Sequence, residues 1–193
     1  ATGAATVTFS ATDACGNATS TTATFTIEDT TAPAVMDAMD ATVECDGAGN
    51  AADLDAWLAS NGGASATDAC SGVTWSNDFA ALSDDCGATG AATVTFSATD
   101  ACGNATSTTA TFTMEDTTSP EFTQVPADQS SQCEELNYTA LAADACSAVE
   151  ITESREVFSE DGCGNYEHLV TLTAADACGN ETTYAFTIVV SDT

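Results

Sequence analysis

The sequence predicts an all-β protein of tandem β-sandwich modules stapled by disulfides, and three observations lead to this fold. Residues 2–31 reappear at residues 89–118, a shift of 87 positions, with Ile27 replaced by Met114 as the single change. Short segments rich in Thr, Val and Phe alternate apolar and polar residues, the period of two that is typical of strands. The nine cysteines would compensate for the thin core of each small module.

The repeat divides the chain into three parts. Residues 1–30 correspond to the C-terminal strands of a truncated module, residues 31–118 to a complete module, and residues 119–193 to a divergent one. Because Ala1 corresponds to Ala88, deep within the next module, we expect the sequence to be a window cut from a longer polypeptide.

The complete module fits an immunoglobulin-like (Ig-like) strand order. Strands A, B, C, F and G are predicted at residues 35–45, 64–69, 73–78, 91–101 and 107–115. Residues 79–85, where strands D and E would lie, show no clear alternation. The alternating segments at 93–97, 109–113 and 169–173 are bounded by Gly, Asn and Asp, which favour the turns between strands.

One module carries a short helical insertion, predicted over residues 51–60. Asn50 and Asp53 form a capping pair at its start, Trp57 lies on its apolar face, and glycines at 62–63 end it. The last module lacks this insertion, since its first cysteine interval is 13 residues (133 to 146) against 25 (45 to 70) in the complete module.

The predicted topology selects a cysteine pairing. Cysteines in the BC and FG loops lie at one end of a sandwich and the others lie at the opposite end, so we predict Cys70–Cys102, Cys45–Cys86, Cys146–Cys178 and Cys133–Cys163. Sequential pairing of Cys45 with Cys70 and of Cys86 with Cys102 stays open, because four cysteines allow three connectivities. Cys15 would need a partner upstream of Ala1 and is therefore predicted to be unpaired in this window.

Composition limits the location and the partners. Disulfide use predicts an extracellular or cell-surface location, and zinc is disfavoured because there is no CxxC pair and His168 is the only histidine. The 30 acidic residues and single Arg155 give a formal charge of −29, which excludes nucleic acid and anionic membranes as partners. No apolar run is long enough to span a bilayer, so no membrane insertion is predicted for this segment.

Acidic motifs at the module boundaries predict two cation sites. The linkers at residues 28–33 and 115–120 begin with Glu-Asp-Thr-Thr and end in proline, and Asp-Ala-Cys occurs five times. If the loops of the following module fold toward each linker, carboxylates crowd together without Lys or Arg. The first site would use Glu28, Asp29, Asp68 and Asp100, and the second Glu115, Asp116, Asp144, Asp176 and Asn180.

Calcium fits these sites best, because it takes six to eight oxygen ligands in adaptable geometry. The alternative is a solvated acidic hinge that binds nothing, with the Asp and Asn residues acting as turn formers. Catalysis is not predicted, since no nucleophile, base and orienting group occur together. Trp57 and Trp75 are assigned to packing in preference to sugar stacking.

The phrases "ATVECDGAGNAADLDAWLASNGGASATDACSGVTW", "ALSDDCGATGAATVTFSATDACGNAT" and "TFTIEDTTAP" resemble the HYR-like, Ig-fold repeats of giant secreted surface adhesins of Bacteroidota, including the gliding-motility type. The resemblance covers essentially the whole chain and is most specific in residues 31–118. It implies a long extracellular filament of tandem sandwiches used in adhesion or motility, and no catalytic residue is carried over.

The sequence therefore predicts a structural or adhesive segment of a surface stalk or filament, with calcium-stiffened module junctions. Its expected partners are neighbouring modules of the same longer chain, identical chains in a filament, and a polysaccharide or other surface ligand. Two alternatives are a self-assembling extracellular fibre subunit and a carbohydrate-binding module train of a secreted hydrolase.

Overall fold

The computed structural model of the protein describes residues 2–132, 134, 137–161 and 165–191. The chain forms two compact units, each described by itself below. The first unit comprises Ala1–Asp40, Trp57–Phe79 and Thr93–Ala110, and the second comprises Ala41–Ala56, Ala80–Ala92 and Thr111–Thr193. Strands dominate both units, so the predicted all-β fold is confirmed.

The strands over the described residues are β1 (Gly3–Thr12), β2 (Ala18–Ile27), β3 (Ala34–Met36), β4 (Ala41–Glu44), β5 (Ser65–Thr67), β6 (Val73–Asn77), β7 (Gly90–Asp100), β8 (Ala105–Glu115), β9 (Glu121–Gln124), β10 (Gln129–Gln132), β11 (Leu141–Ala143), β12 (Glu150–Glu160), β13 (Tyr166–Ala175) and β14 (Glu181–Ser191). Helix α1 (Ala51–Ala59) lies between β4 and β5 and is followed by a 3-10 turn at Asn61–Gly63. No helix among these described residues is long and apolar enough to cross a membrane.

The strand order occurs twice, which confirms the tandem arrangement of modules. One four-stranded sheet has the order β4-β8-β7-β6 and is accompanied by the pair β3-β5, while the other has the order β10-β14-β13-β12 and is accompanied by β11-β9. In each sheet the first strand runs parallel to the last strand of its module, β4 to β8 and β10 to β14. The remaining registered pairs are antiparallel.

Strand A of the complete module is broken, which corrects the prediction of one strand over 35–45. It forms the separate strands β3 and β4, which belong to different sheets. The backbone between β3 and β4 forms hydrogen bonds that belong to no strand pairing. The amide of Ala38 donates to Thr108 Oγ1 at 3.1 Å, and the amide of Met39 donates to the carbonyl of Gly62 at 2.9 Å.

The predicted helical insertion is confirmed, with α1 ending one residue earlier than expected. At its start Asn50 Nδ2 donates to Asp53 Oδ2 at 3.1 Å, as the capping pair predicts. In the first unit Trp57 packs edge-to-face on Phe96 with 5.2 Å between the ring centroids. Its Nε1 donates to the Met39 carbonyl at 3.1 Å, so this indole belongs to the core.

A core cluster of the second unit lies within the last module. Buried side chains of β13 and β14 form its centre, and aromatic and aliphatic side chains from the other strands and loops pack against them. The buried residues are Val170, Leu172, Phe186, Ile188 and Val190, and those packed against them include Phe122, Tyr138, Ile151, Tyr166 and Tyr184.

The hairpin β1–β2 has the sequence of β7–β8 but a different environment. Phe9 and Phe25 are 58% and 69% exposed, whereas their counterparts Phe96 and Phe112 are 0% and 1% exposed. The same alternation therefore forms the same hairpin in both places. Burial depends on the further strands and the helix that cover one face, which the hairpin does not have among the described residues.

Candidate metal centres

The Asp-Ala-Cys-Gly-Asn turn fixes an aspartate at the end of a strand. Asp100 Oδ1 accepts from the amides of Cys102 and Asn104, both at 2.8 Å, and its Oδ2 accepts from Asn104 Nδ2 at 2.8 Å. The Asn104 side chain is the main reason that the pKa of Asp100 lies below its usual value. The carboxylate is thus held ionised and in one orientation.

Asp176 repeats this arrangement in the second unit. Its carboxylate accepts from the amide of Cys178 at 2.9 Å and from the amide and Nδ2 of Asn180, both at 2.8 Å. Burial alone would raise the pKa of Asp176, but the hydrogen bonds from Asn180 outweigh it and the pKa is lowered.

A second loop, Asp-Ala-Cys-Ser, lies beside each of these turns. Asp68 Oδ1 accepts from the amides of Cys70 (2.9 Å) and Ser71 (2.8 Å), and the Cys70 amide is the main reason that the pKa of Asp68 is lowered. The hydroxyl of Ser71 accepts from the amide of Ala101 at 3.2 Å. Two loops distant in sequence are therefore joined by a direct hydrogen bond.

The same contacts recur around Asp144. Its Oδ1 accepts from the amides of Cys146 at 2.7 Å and Ser147 at 3.1 Å. The hydroxyl of Ser147 accepts from the amide of Ala177 at 3.2 Å. The loop pair in the second unit is thus the structural counterpart of the pair in the first.

The first cluster brings together Asp29, Asp68 and Asp100, whose carboxylate oxygens lie within 4.8 Å of one another. Asn104 Nδ2 donates to the backbone carbonyl of Asp29 at 3.1 Å, which holds the linker against the turn. Asp29 Oδ1 accepts from the amide of Thr31 at 3.2 Å. Its Oδ2 is buried and has no hydrogen-bond partner among the described residues.

The second cluster contains Asp116, Asp144 and Cys146, again within 4.8 Å. The sulfur of Cys146 is bonded to Cys45. The groups of this cluster that can bind a cation are therefore the carboxylates of Asp116 and Asp144. Asp116 is only 8% exposed, and its Oδ2 has no hydrogen-bond partner within the described part of the chain. Burial raises the pKa of Asp116, and the negative charges of Asp144, Asp176 and Glu44 raise it further. A buried carboxylate is normally stabilised by hydrogen bonds to both oxygens or by a nearby positive charge. Among the described residues, Oδ2 of Asp116 has no such hydrogen bond.

The structure brings together five of the nine predicted ligands in the two clusters. Asp176 lies outside the 4.8 Å group but is close enough for its charge to raise the pKa of Asp116. Asn180 donates through Nδ2 to the Asp116 carbonyl at 3.0 Å, so it fixes the linker. Glu28 and Glu115 are exposed and belong to neither cluster.

Glu44 is a site residue that the sequence analysis missed. Its carboxylate accepts from the amide of Thr117 (2.9 Å) and from the hydroxyls of Thr117 (2.9 Å) and Thr118 (2.8 Å). The Thr117 amide is the main reason that the pKa of Glu44 is lowered. No local motif marks this residue, because the parallel pairing of β4 with β8 brings it to the linker.

The disulfides correct the predicted pairing. Cys45 bonds to Cys146 and Cys86 bonds to Cys178, so the predictions Cys45–Cys86 and Cys146–Cys178 are wrong. Cys102 and Cys15 are exposed free thiols, so the prediction Cys70–Cys102 is also wrong. The prediction Cys133–Cys163 lies outside the described residues.

The physical reason for this pairing is a close fit between two kinds of loop. Gly47 and Gly87 follow Cys45 and Cys86 by two and one positions and have positive φ of 72° and 59°. A Cβ at Gly87 would lie 2.7 Å from the Cys146 carbonyl oxygen, and one at Gly47 would lie 2.3 Å from the Ala145 oxygen. The amide of Ala88 donates to the Cys146 carbonyl at 2.8 Å.

The ligand chemistry of both clusters fits a hard divalent cation. Carboxylate and carbonyl oxygens at partly buried positions are what calcium prefers. Arg155 is the only arginine or lysine in the sequence, and its Nε pairs with Glu153 Oε1 at 2.5 Å. The chain therefore has no further arginine or lysine that could neutralise the two clusters. The unpaired Oδ2 atoms of Asp29 and Asp116 are then the atoms a cation would satisfy.

Comparisons with known proteins concern the fold alone. No protein-family model matches the sequence, and no curated protein matches it, so neither supports the resemblance to the adhesin repeats. Among solved structures the neighbours are cadherin extracellular repeats. They include Drosophila N-cadherin EC1-4 (13% identity, 67% of this chain and 44% of that chain, TM-score 0.31), protocadherin gammaB7 EC3-6 (13%, 98% and 58%, 0.34) and protocadherin gamma B2 domains 3-6 (10%, 98% and 59%, 0.37).

The chain thus spans less than two thirds of the length of each of these three structures. Identities and TM-scores this low carry no inference about ligands or function. The site itself must carry the functional argument.

Proposed function

We propose that the chain is a structural and adhesive segment of a long extracellular repeat protein, in which calcium bound at the two clusters stiffens the linkers at 28–33 and 115–120. The observation that carries this proposal is the buried Oδ2 of Asp116, which has no hydrogen-bond partner among the residues that the structure describes, together with the equivalent atom of Asp29. The role is non-catalytic, and its direct partners are neighbouring repeats of the same longer chain.

The electrostatics support a cation at the second cluster. Asp116 is destabilised by burial and by three neighbouring carboxylates, and a divalent cation would remove both penalties at once. When bound, the cation would neutralise the carboxylates and cross-link the linker to the Asp144 loop. Asp116 and Asp144 would hold it, and Asp29, Asp68 and Asp100 would hold its counterpart.

The neighbouring hydrogen bonds support a stiffening role. Asn104 and Asn180 each fix a linker carbonyl through Nδ2, and Glu44 fixes Thr117 and Thr118. A cation at Asp116 would add a contact to a linker that these hydrogen bonds already hold. The extracellular setting accords with the two disulfides, and the adhesive role is taken from the resemblance to the surface adhesins.

Calcium calorimetry on the whole chain tests the proposal. We expect one binding event to be lost in Asp116→Asn, another in Asp29→Asn, and both in the double variant, because the amide cannot supply the anionic oxygen. Magnesium should bind more weakly, since it demands a stricter octahedron. Binding that is unchanged in the double variant would overturn the proposal.

The hairpin supplies a matched control. Asp13 lies in an identical Asp-Ala-Cys-Gly-Asn turn, with its carboxylate accepting from the amides of Cys15 (2.9 Å) and Asn17 (2.8 Å), but it belongs to neither cluster. Asp13→Asn should leave both calcium-binding events intact. If Asp13→Asn reduces calcium binding as much as Asp116→Asn, the binding reflects diffuse charge and the two-cluster proposal is wrong.

A further inference from the structure

The disulfide Cys45–Cys146 lies in the second cluster. The Cys146 sulfur and the carboxylate oxygens of Asp116 and Asp144 all lie within 4.8 Å of one another. Both cysteines are buried, with exposures of 7% and 8%, and all four residues belong to the second unit. Any change at this sulfur–sulfur bond therefore takes place beside the carboxylates that would hold the cation.

One end of the disulfide is fixed to the chain segment that carries Asp116. The parallel pairing of β4 with β8 places Glu44 opposite Glu115, and the amide of Cys45 donates to the Glu115 carbonyl at 2.7 Å. The Glu44 carboxylate accepts from the amide of Thr117 at 2.9 Å. Cys45 is thus held against the residue that precedes Asp116.

The other end of the disulfide is fixed to the loop that carries Asp144. The amide of Cys146 donates to Asp144 Oδ1 at 2.7 Å, so the orientation of this carboxylate depends on the position of Cys146. The carbonyl of Cys146 accepts from the amide of Ala88 at 2.8 Å. The disulfide is therefore a covalent bridge between the two sides of the site, with Asp116 on one side and Asp144 on the other.

We propose that the Cys45–Cys146 disulfide is a redox control of the second cation site. The oxidised bridge holds Asp116 and Asp144 at the spacing that binds calcium, and reduction of the bridge lowers the affinity. A preorganised site binds more tightly because its ligands lose less freedom on binding. This inference rests on the proposed function, since it concerns the regulation of one of the same two sites.

The first cluster supplies an internal reference. Its carboxylates, Asp29, Asp68 and Asp100, lie within 4.8 Å of one another and belong to the first unit. The Cys45–Cys146 bridge connects segments of the second unit only. Opening this bridge should therefore leave the calcium affinity of the first cluster unchanged.

A dithiol reductant opens the bridge by thiol–disulfide exchange. One reductant thiolate attacks a bridge sulfur, the Cys45–Cys146 bond breaks and a mixed disulfide forms. The second reductant thiol then displaces the protein sulfur. The reductant ends as a cyclic disulfide, and the two cysteines end as thiols that carry its two protons. Because linkage is reciprocal, calcium should favour the oxidised bridge by the same factor by which the bridge favours calcium binding.

Calcium calorimetry on the whole Cys45→Ser/Cys146→Ser chain is the first test. The second-cluster event is identified as the one that Asp116→Asn removes. We expect this event to weaken about 10–100-fold, the usual effect of losing a group that orients metal ligands. The matched control is Cys86→Ser/Cys178→Ser, which removes the other disulfide of the same unit. It should leave both events near wild-type affinity, because neither of its cysteines belongs to a cluster.

A second measurement uses the wild-type chain and needs no substitution. The protein is equilibrated in a dithiol redox buffer with calcium or with EDTA at matched ionic strength, and alkylation with mass spectrometry then counts each reduced pair. We expect calcium to shift the Cys45–Cys146 equilibrium toward the disulfide about 10–100-fold. The Cys86–Cys178 equilibrium should not move. This measurement decides the question if hydrogen exchange of β13 and β14 shows that the Cys45→Ser/Cys146→Ser variant does not fold.

The outcomes separate this inference from the proposed function. A wild-type chain without the second binding event would overturn both. With that event present, an unchanged affinity in the folded Cys45→Ser/Cys146→Ser variant would overturn the redox control alone. The same holds if calcium leaves the Cys45–Cys146 equilibrium unchanged, or shifts both disulfides equally, because calcium would then act through the folding of the whole unit.

Discussion

Two aspartates separated by 60 residues carry opposite electrostatic roles. Asp116 is buried among carboxylates with an unpaired oxygen, and its pKa is raised. Asp176 is equally buried, but the hydrogen bonds from Asn180 and Cys178 overcome the burial penalty and lower its pKa. Asp116 thus needs a counter-charge from outside the chain, whereas Asp176 is satisfied by it.

We expect Asp116→Asn and Asp176→Asn to shift stability in opposite directions when calcium is removed with EDTA. Asp116→Asn removes an uncompensated buried charge and should raise the melting temperature by a few degrees. Asp176→Asn places an amide against three donors and should lower it by a similar amount. Differential scanning calorimetry of both variants measures this, and a loss of stability in Asp116→Asn would contradict the assignment.

The pH dependence of the same variants has a defined sign. A carboxyl with a raised folded pKa contributes stability below its unfolded pKa and loses it as pH rises through the folded value. The advantage of Asp116→Asn in EDTA should therefore grow with rising pH through the pKa of Asp116. For Asp176 the pKa is lowered, so the penalty of Asp176→Asn should be full at neutral pH and should shrink on acidification. Thermal melts from acidic to neutral pH check both trends.

Gly87 is required for the close approach of the loop that contains Cys86. Gly87→Ala combines left-handed backbone strain at φ of 59° with a Cβ 2.7 Å from the Cys146 oxygen. Gly103→Ala is the matched control, because φ is 90° there and nothing lies within 4 Å of the added carbon. We expect Gly103→Ala to cost about 1 kcal/mol and Gly87→Ala about 2 kcal/mol or more. Urea unfolding measures both, and equal costs would mean that the loops do not pack as described.

The indole of Trp57, near the end of α1, packs in the first unit. Trp57→Phe keeps most of the contact with Phe96 but removes the indole donor and leaves the Met39 carbonyl unpaired. We expect it to cost about 1 kcal/mol, the usual net contribution of one hydrogen bond. Trp75→Phe on β6, where the side chain is half-buried, should cost less. Chemical denaturation compares the two, and a larger loss for Trp75→Phe would contradict this role of Trp57.

Local pattern predicted most elements but not their connections. Alternation located β6, β7 and β8, and the Asn50–Asp53 cap located the start of α1. The break in strand A was missed because it depends on Thr108 and Gly62, which are distant in sequence. Both the broken strand and the position of Glu44 depend on parallel pairing of β4 with β8, which leaves no local signal.

The candidate site was predictable where the repeat placed its residues. Asp29 and Asp116 occupy equivalent positions in the two linkers, and the Asp-Ala-Cys motif located the remaining carboxylates of both clusters. The cysteine pairing was missed because topology within one module favoured partners in that module. In each observed disulfide only one cysteine is preceded by Asp-Ala, Cys146 or Cys178, and its partner Cys45 or Cys86 is not. That distinction would have separated the two kinds of loop.

Two disulfides with long loops should dominate the stability of the second unit. They connect residues 101 and 92 positions apart, and a closed loop of that size contributes about 4–5 kcal/mol through the entropy of the unfolded chain. The Cys86→Ser/Cys178→Ser double variant should therefore lose several kcal/mol in urea unfolding, measured without reductant. The Cys15→Ser variant is the control and should unfold like the parent. A loss below about 1 kcal/mol in the double variant would contradict this account.

At the scale of the whole molecule, the large negative charge is the property that both calcium and ordinary salt affect. A formal charge of −29 repels itself over about 10 Å at ordinary ionic strength, so any added salt relaxes the chain to some extent. Site-bound calcium differs from screening, because it acts only through Asp29, Asp116 and their cluster partners. A measurement that tests the central claim must therefore hold ionic strength constant.

Small-angle X-ray scattering of the whole chain in EDTA and in calcium at matched ionic strength is that measurement. The account predicts that calcium narrows the spread of inter-module distances in the pair-distance distribution of the wild type, because only the wild type can stiffen its linkers at the two clusters. The distribution of the Asp29→Asn/Asp116→Asn variant should be the same with and without calcium. Identical wild-type curves with and without calcium, or an equal change in the double variant, would contradict it.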